Sequence, residues 1–189
     1  MSQNSPRVIA LVGMPGSGKS VCAKHLEARG FFQFRFGSIV VDEVKRRGLA
    51  ITPQNERLVR EEFRANEGMD VMAKRALPIL QDALNHHQTV IADGLYSFKE
   101  YKTLRNAFGN SIVMIAIITP RQLRYKRLSE RTERPLTYEE AEERDFAEIE
   151  NLEKGGPIAL ADYALINAGD MTQLVQSLDH LLEELNVKP

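Results

Sequence analysis

The sequence predicts an α/β protein, a three-layer sandwich in which a parallel, doubly wound sheet is covered by helices, and three observations carry that prediction. Residues 8–12 are an apolar, β-branched run that leads into Gly13-Met14-Pro15-Gly16-Ser17-Gly18-Lys19-Ser20, and residues 21–28 then read as a helix. Strand-like and helix-like segments go on alternating, about five times in all. The 189 residues suffice for one well-buried domain and not comfortably for two. A single domain over 1–189 is therefore expected.

Each element follows from local signals. The helix after the glycine loop begins near Lys19; Gly30 reads as its stop and 31–36 as a second strand. Gly37-Ser38 opens a helix to about Arg47, which Gly48 closes. Thr52-Pro53 has N-cap and first-turn character, so a helix through Asn55 to Asn66 follows, broken by Gly68. Residues 69–87 read as helical, with Pro78 as a kink or a boundary. Residues 89–92, ending in Asp93-Gly94, make a third strand, 97–108 a helix, and 112–118 a continuous apolar strand suited to burial on both faces. Pro120 starts a helix to about Arg131, and polar residues 132–137 form a loop. A helix over 138–152 should stop at Gly155-Gly156, before a short strand at 164–166 and an amphipathic helix at 171–185. The polar lead, Met1 to Pro6, is expected to fray.

Gly13 to Ser20 match the phosphate-binding loop pattern G-x-x-x-x-G-K-[ST] without a gap. Glycines here let backbone N–H groups turn inward as an anion nest, and the helix that follows aims its positive end at the same place. The expected nucleotide-binding set is Gly13, Pro15, Gly16, Ser17, Gly18, Lys19 and Ser20. Lys19 is expected on the β- and γ-phosphates and the Ser20 hydroxyl on Mg²⁺.

Bulk properties narrow the partners. A net charge of −1 removes the usual reason to expect nucleic-acid binding. No run is long and apolar enough to span a membrane, and no signal pattern opens the chain. The single cysteine, Cys22, reads as a small packing residue. A cytoplasmic protein with a small-molecule acceptor fits these data, and a monomer suffices.

Beyond the loop, Asp93 ends an apolar strand, where a carboxylate can hold Mg²⁺ or orient a nucleophile. Arg124, Arg127, Arg131 and Arg134 are spaced by three, four and three, so a helix continued to Arg134 would put all four on one face. Two or more are expected to reach phosphate or base, with Arg144 returning from beyond the loop. The arginine-rich helical stretch 39–75, within an insertion over about 38–87, reads equally well as an acceptor pocket or as solvated helices. His86 and His87 show no metal-ligand spacing.

VIALVGMPGSGKS, FGS after the second strand, AKR at 73–75, DG at 93–94, RPLTYEEAEERD and IALADYALIN occur in an order that resembles the adenylate-kinase-related, dephospho-CoA-kinase-like family of P-loop kinases. The resemblance covers Val8 to about Leu185. It implies a nucleoside-monophosphate-kinase-like fold with five parallel strands in order 2-3-1-4-5, ATP·Mg²⁺ as donor, and a small lid at about 131–140. It also implies Arg124 stacking near adenine, Asn167 close to the base, and Arg127 or Arg131 on the phosphates. Acceptor contacts are expected from Ser38, Arg64, Arg75, Tyr96 and Arg144.

Three positions depart from that family. Ser38 stands where an aspartate is common, Val41 where an arginine tends to occur, and Tyr96 replaces an arginine in Asp93-Gly94-Leu95-Tyr96-Ser97. All face the expected acceptor. Either Asp93 alone acts as base, or the acceptor differs, or transfer has been lost. A small-molecule kinase is the leading reading, and a nucleotide-binding sensor that transfers nothing is the alternative.

Overall fold

The computed structural model describes residues 7–189; the polar lead lies outside the described residues. Five parallel strands, β1 (Val8–Val12), β2 (Phe32–Arg35), β3 (Val90–Asp93), β4 (Ile112–Ile118) and β5 (Tyr163–Ile166), form one sheet in the order β2-β3-β1-β4-β5. The expected strand order is therefore observed. β1 is central, with Val8 beside Val90 of β3 and Ile112 of β4.

Side-chain alternation along β1 splits the core in two. Val8, Ala10 and Val12 join the layer holding α2 (Gly37–Arg46), α3 (Pro53–Glu67), α4 (Val71–Ala83) and α5 (Phe98–Phe108). Ile9 and Leu11 pack on the other face with α1 (Lys19–Ala28) and α9 (Met171–Glu184). Cys22 is buried there, and burial pushes its thiol up to about 12, so it is the inert packing group expected. A small third cluster, Tyr125, Leu128 and Ala141, joins α6 (Arg121–Ser129) to α7 (Tyr138–Glu150) at the base of the loop between them.

Helix starts follow their caps. Thr52 Oγ1 accepts from the Asn55 N–H at 3.2 Å, while Ser97 with Glu100 and Thr137 with Glu140 make reciprocal capping boxes. Three expectations are corrected. Pro78 lies inside α4 and marks no boundary; it sits on the exposed side, where the carbonyl left without an N–H can be hydrated. α6 ends at Ser129 rather than about Arg131. Gly155 and Gly156 do not stop a helix: they open α8 (Gly155–Ala159), and a Cβ on Gly156 would lie 2.8 Å from the Phe98 ring. Close packing of α8 on α5 is what requires glycine there.

Candidate active site

The carboxyl ends of the parallel strands set the site. Gly16 and Gly18 hold φ of 79° and 103°, which L side chains rarely adopt. A Cβ on Gly16 would meet the Arg124 carbonyl at 2.8 Å, and one on Gly18 would meet Asn167 Nδ2 at 2.5 Å. The loop backbone is thus pressed close against the domain.

Buried polar groups hold it from beneath. The Ser17 carbonyl accepts from Thr119 Oγ1 at 2.9 Å and from Asn167 Nδ2 at 2.7 Å. The Pro15 carbonyl accepts from Arg124 Nη1 at 3.1 Å, and the same guanidinium pairs with both Asp145 oxygens. With those carbonyls tied to the domain, and the first N–H groups of α1 lacking intrahelical acceptors, the open side of the loop presents donors. A cavity of about 380 Å³ opens there, with Lys19, Ser20, Arg127, Arg131 and Arg144 in its wall.

A second cavity, of about 630 Å³, lies beside it, walled by α2, α3 and α7. Ser38, Arg60, Arg64, Arg144 and Glu148 line it, and Tyr96 and Arg144 belong to both cavities. Arg64 Nε is buried without a hydrogen-bond partner, and burial lowers the pKa of that guanidinium.

The arginines of the inserted helices divide cleanly. Arg46 and Arg47 pair with Glu43, Arg57 with Glu61, and Arg75 with Glu67, while Arg60 and Arg64 line the cavity. The region therefore holds both kinds of arginine, some paired with acids at the surface and some lining a cavity. Arg75 is a correction: it lies over the Phe63 ring, engaged by Glu67, and lines neither cavity. Ser38, Arg64, Tyr96 and Arg144 do come together.

The four-arginine face is not formed, because α6 ends first. Arg124 points into the protein and is 6% exposed, a strut for the loop instead of an open surface for a base. Asn167 is 1% exposed and braces Ser17, so it too is corrected from base contact to support. Arg127 Nη2 donates to Asn167 Oδ1 and to the Gly169 carbonyl, leaving a buried Nη1 without a partner. Arg131 reaches the phosphate-loop cavity, whereas Arg134 sits 3.9 Å from Glu56 of α3. Asp93 is buried, and its Oδ2 lies 3.2 Å from Gln33 Nε2 and 3.5 Å from Arg35 Nε.

Sequence reasoning missed Arg60, Glu148 and Lys154. Arg60 had a signal: it stands four residues before Arg64 on one helix face. Glu148 stands in the same relation to Arg144, at 3.1 Å. Lys154 had none, since its position depends on the turn between α7 and α8.

Comparison with known proteins adds the following. The model of a family described as AAA domain matches residues 9–148. A UPF0200 protein of Thermococcus kodakarensis is 37% identical, covering 94% of this chain and 97% of its own. Shikimate kinase from Acinetobacter baumannii, solved in complex with shikimate, superposes with a TM-score of 0.58 at 20% identity, over 98% of this chain and 97% of that one. Dephospho-CoA kinase from Campylobacter jejuni gives 0.55 at 15% identity, over 96% and 98%. The fold is that of P-loop kinases; the likenesses do not single out the adenylate-kinase-related group.

Proposed function

The chain belongs to the AAA domain family and to the UPF0200 proteins, and from that premise we propose that it is a phosphotransferase acting on a small molecule. It moves the γ-phosphoryl of ATP to a nucleotide-like or dephospho-CoA-like acceptor. The supporting observation is the pair of adjoining cavities, one floored by the phosphate loop and one lined by Arg60 and Arg64, which share Tyr96 and Arg144. In-line transfer needs donor and acceptor phosphates on either side of such a junction.

In this reading the loop N–H groups and Lys19 bind the β- and γ-phosphates, while Arg131 and Arg144 offset charge on the transferred group. Arg127, fixed by Asn167 and Gly169, keeps Nη1 for an anion. Ser20 and Asp93 are hard oxygen donors that suit Mg²⁺ when shared with nucleotide oxygens and water. Among the described residues no three His, Cys, Asp or Glu cluster to hold a metal by themselves. Bound Mg²⁺ supplies neutralisation of the phosphate oxygens. Ser38 and Arg64 contact the acceptor.

Incubation with labelled ATP and Mg²⁺ against nucleosides, nucleotides and dephospho-CoA tests the proposal; a phosphorylated product is expected. The second reading, a nucleotide sensor, draws on Asp93, whose carboxylate lies against Gln33 and Arg35, and on Ser38 and Val41, which bring no carboxylate to the acceptor cavity. Tight ATP binding with no product across the panel would favour it.

A further inference from the structure

Lys154 has no role in the reading above, yet its position is tightly built. It is 2% exposed, and a buried ammonium is costly unless paired. Its Nζ donates to Glu148 and lies 4.7 Å from the centroid of the Tyr96 ring. The preceding residue, Glu153, holds φ at 53°, a left-handed conformation that L side chains rarely adopt. The Lys154 N–H donates to the Glu148 carbonyl at 3.2 Å, and Gly156 lets the next turn close on Phe98. Turn, strain and packing all aim one side chain.

Its target is the phosphate-loop cavity, whose wall Lys154 shares with Lys19, Arg131 and Arg144. Glu148, by contrast, lines the acceptor cavity. The ion pair therefore spans the junction beside Tyr96. The groups facing Lys154 are Glu148 and Arg144 of α7, Lys19 of α1, and Tyr96. Burial brings its pKa down to about 8 against the pull of Glu148, with Lys19 and Arg144 adding repulsion. A cavity with Lys19, Arg131, Arg144 and a buried Lys154 in its wall is suited to an anion.

We propose that Lys154 is a further nucleotide-binding residue, which exchanges Glu148 for the terminal phosphate of a bound nucleoside triphosphate. The inference rests on the nucleotide-binding reading of the loop. The terminal phosphate is the one that must face the acceptor, and Lys154 stands where the two cavities meet. After the exchange Glu148 keeps Arg144 alone, at 3.1 Å, so the acceptor cavity gains negative charge when the donor site fills. Donor occupancy is thereby signalled to the acceptor side through one side chain.

Calorimetry on the full chain tests this, with Mg·AMP-PNP and Mg·ADP as probes. Lys154→Met should weaken AMP-PNP about tenfold or more and ADP less than about twofold. Glu148→Gln should change AMP-PNP affinity in the opposite direction, because no ion pair has to break. At pH 8, repeated in buffers of different ionisation enthalpy, proton uptake with AMP-PNP should be larger in the wild type than in Lys154→Met by up to about half a proton. An unchanged AMP-PNP to ADP affinity ratio in Lys154→Met, or a loss of AMP-PNP affinity in Glu148→Gln, overturns the proposal. Should Lys154→Met fail to fold by circular dichroism, the sign for Glu148→Gln decides. Folded wild type that binds neither nucleotide overturns the phosphate-loop reading itself; binding with an unaltered ratio overturns this inference alone.

Discussion

The phosphate loop rests on buried polar partners, whereas the second cavity, the proposed acceptor site, is walled partly by side chains of α2 and α3. Thr119, Arg124 and Asn167 are each below a tenth exposed and donate to the Ser17 and Pro15 carbonyls of the loop, with buried Asp145 behind Arg124. Across the junction, Arg60, Lys45 and Ser38 line the cavity from helices α2 and α3. In the proposed function, donor geometry is set largely by the loop backbone. Acceptor choice, on the same proposal, would lie in the side chains of the second cavity, which is where Ser38, Val41 and Tyr96 depart from the family the chain resembles.

That contrast can be broken, most severely at Arg124. Arg124→Met leaves Asp145 buried and unpaired, which costs about 3–5 kcal/mol. At about 2–4 °C per kcal/mol for a chain of this size, Tm should fall by on the order of 10 °C in a thermal scan. Arg124→Met with Asp145→Leu should recover part of the loss. Lys19→Ala comes next: about a hundredfold loss of ATP affinity by calorimetry, with Tm nearly unchanged. If binding survived, the loop would not be the donor site. Asn167→Ala should cost about 1–3 kcal/mol and weaken ATP, because it strips the Ser17 carbonyl and Arg127 of a partner.

On the acceptor side, Arg64→Ala should raise the acceptor KM about tenfold with ATP affinity and Tm little altered; an equal loss on both sides would erase the distinction. The smallest effect is a pH dependence. In the nucleotide-free protein Lys154 titrates near 8, against an ordinary 10.5, so between those values the unfolded chain binds more protons. The stability this group contributes is therefore full above about 10.5 and is lost as pH falls through about 8. Denaturant titrations of wild type and Lys154→Met from pH 8 to 10.5 should diverge accordingly.

The donor side was legible because it is local: strand, glycines, lysine and helix are consecutive, and spacing alone fixes them. The five strands could be read from apolar runs, with their order following from the resemblance. The second cavity was only partly legible: Ser38, Arg64, Tyr96 and Arg144 were expected together and line it, but its arginines differ from their neighbours only in which acids stand nearby. Arg57 and Arg60 look alike in sequence, yet Glu61 holds the first while the second lines the cavity. The four-arginine spacing misled for another reason: periodicity says which face residues share, but the helix stopped at Ser129. Lys154 depends on a single reversed residue, Glu153, for which no composition rule exists.

The hydrogen bond from Asn167 to Ser17 joins residues 150 positions apart. During synthesis the glycine loop is therefore made well before its clamp. A nascent chain halted before β5 would display every residue of the motif with the Ser17 carbonyl lacking that partner. The support beneath the glycine loop is therefore complete only once the closing strand has docked.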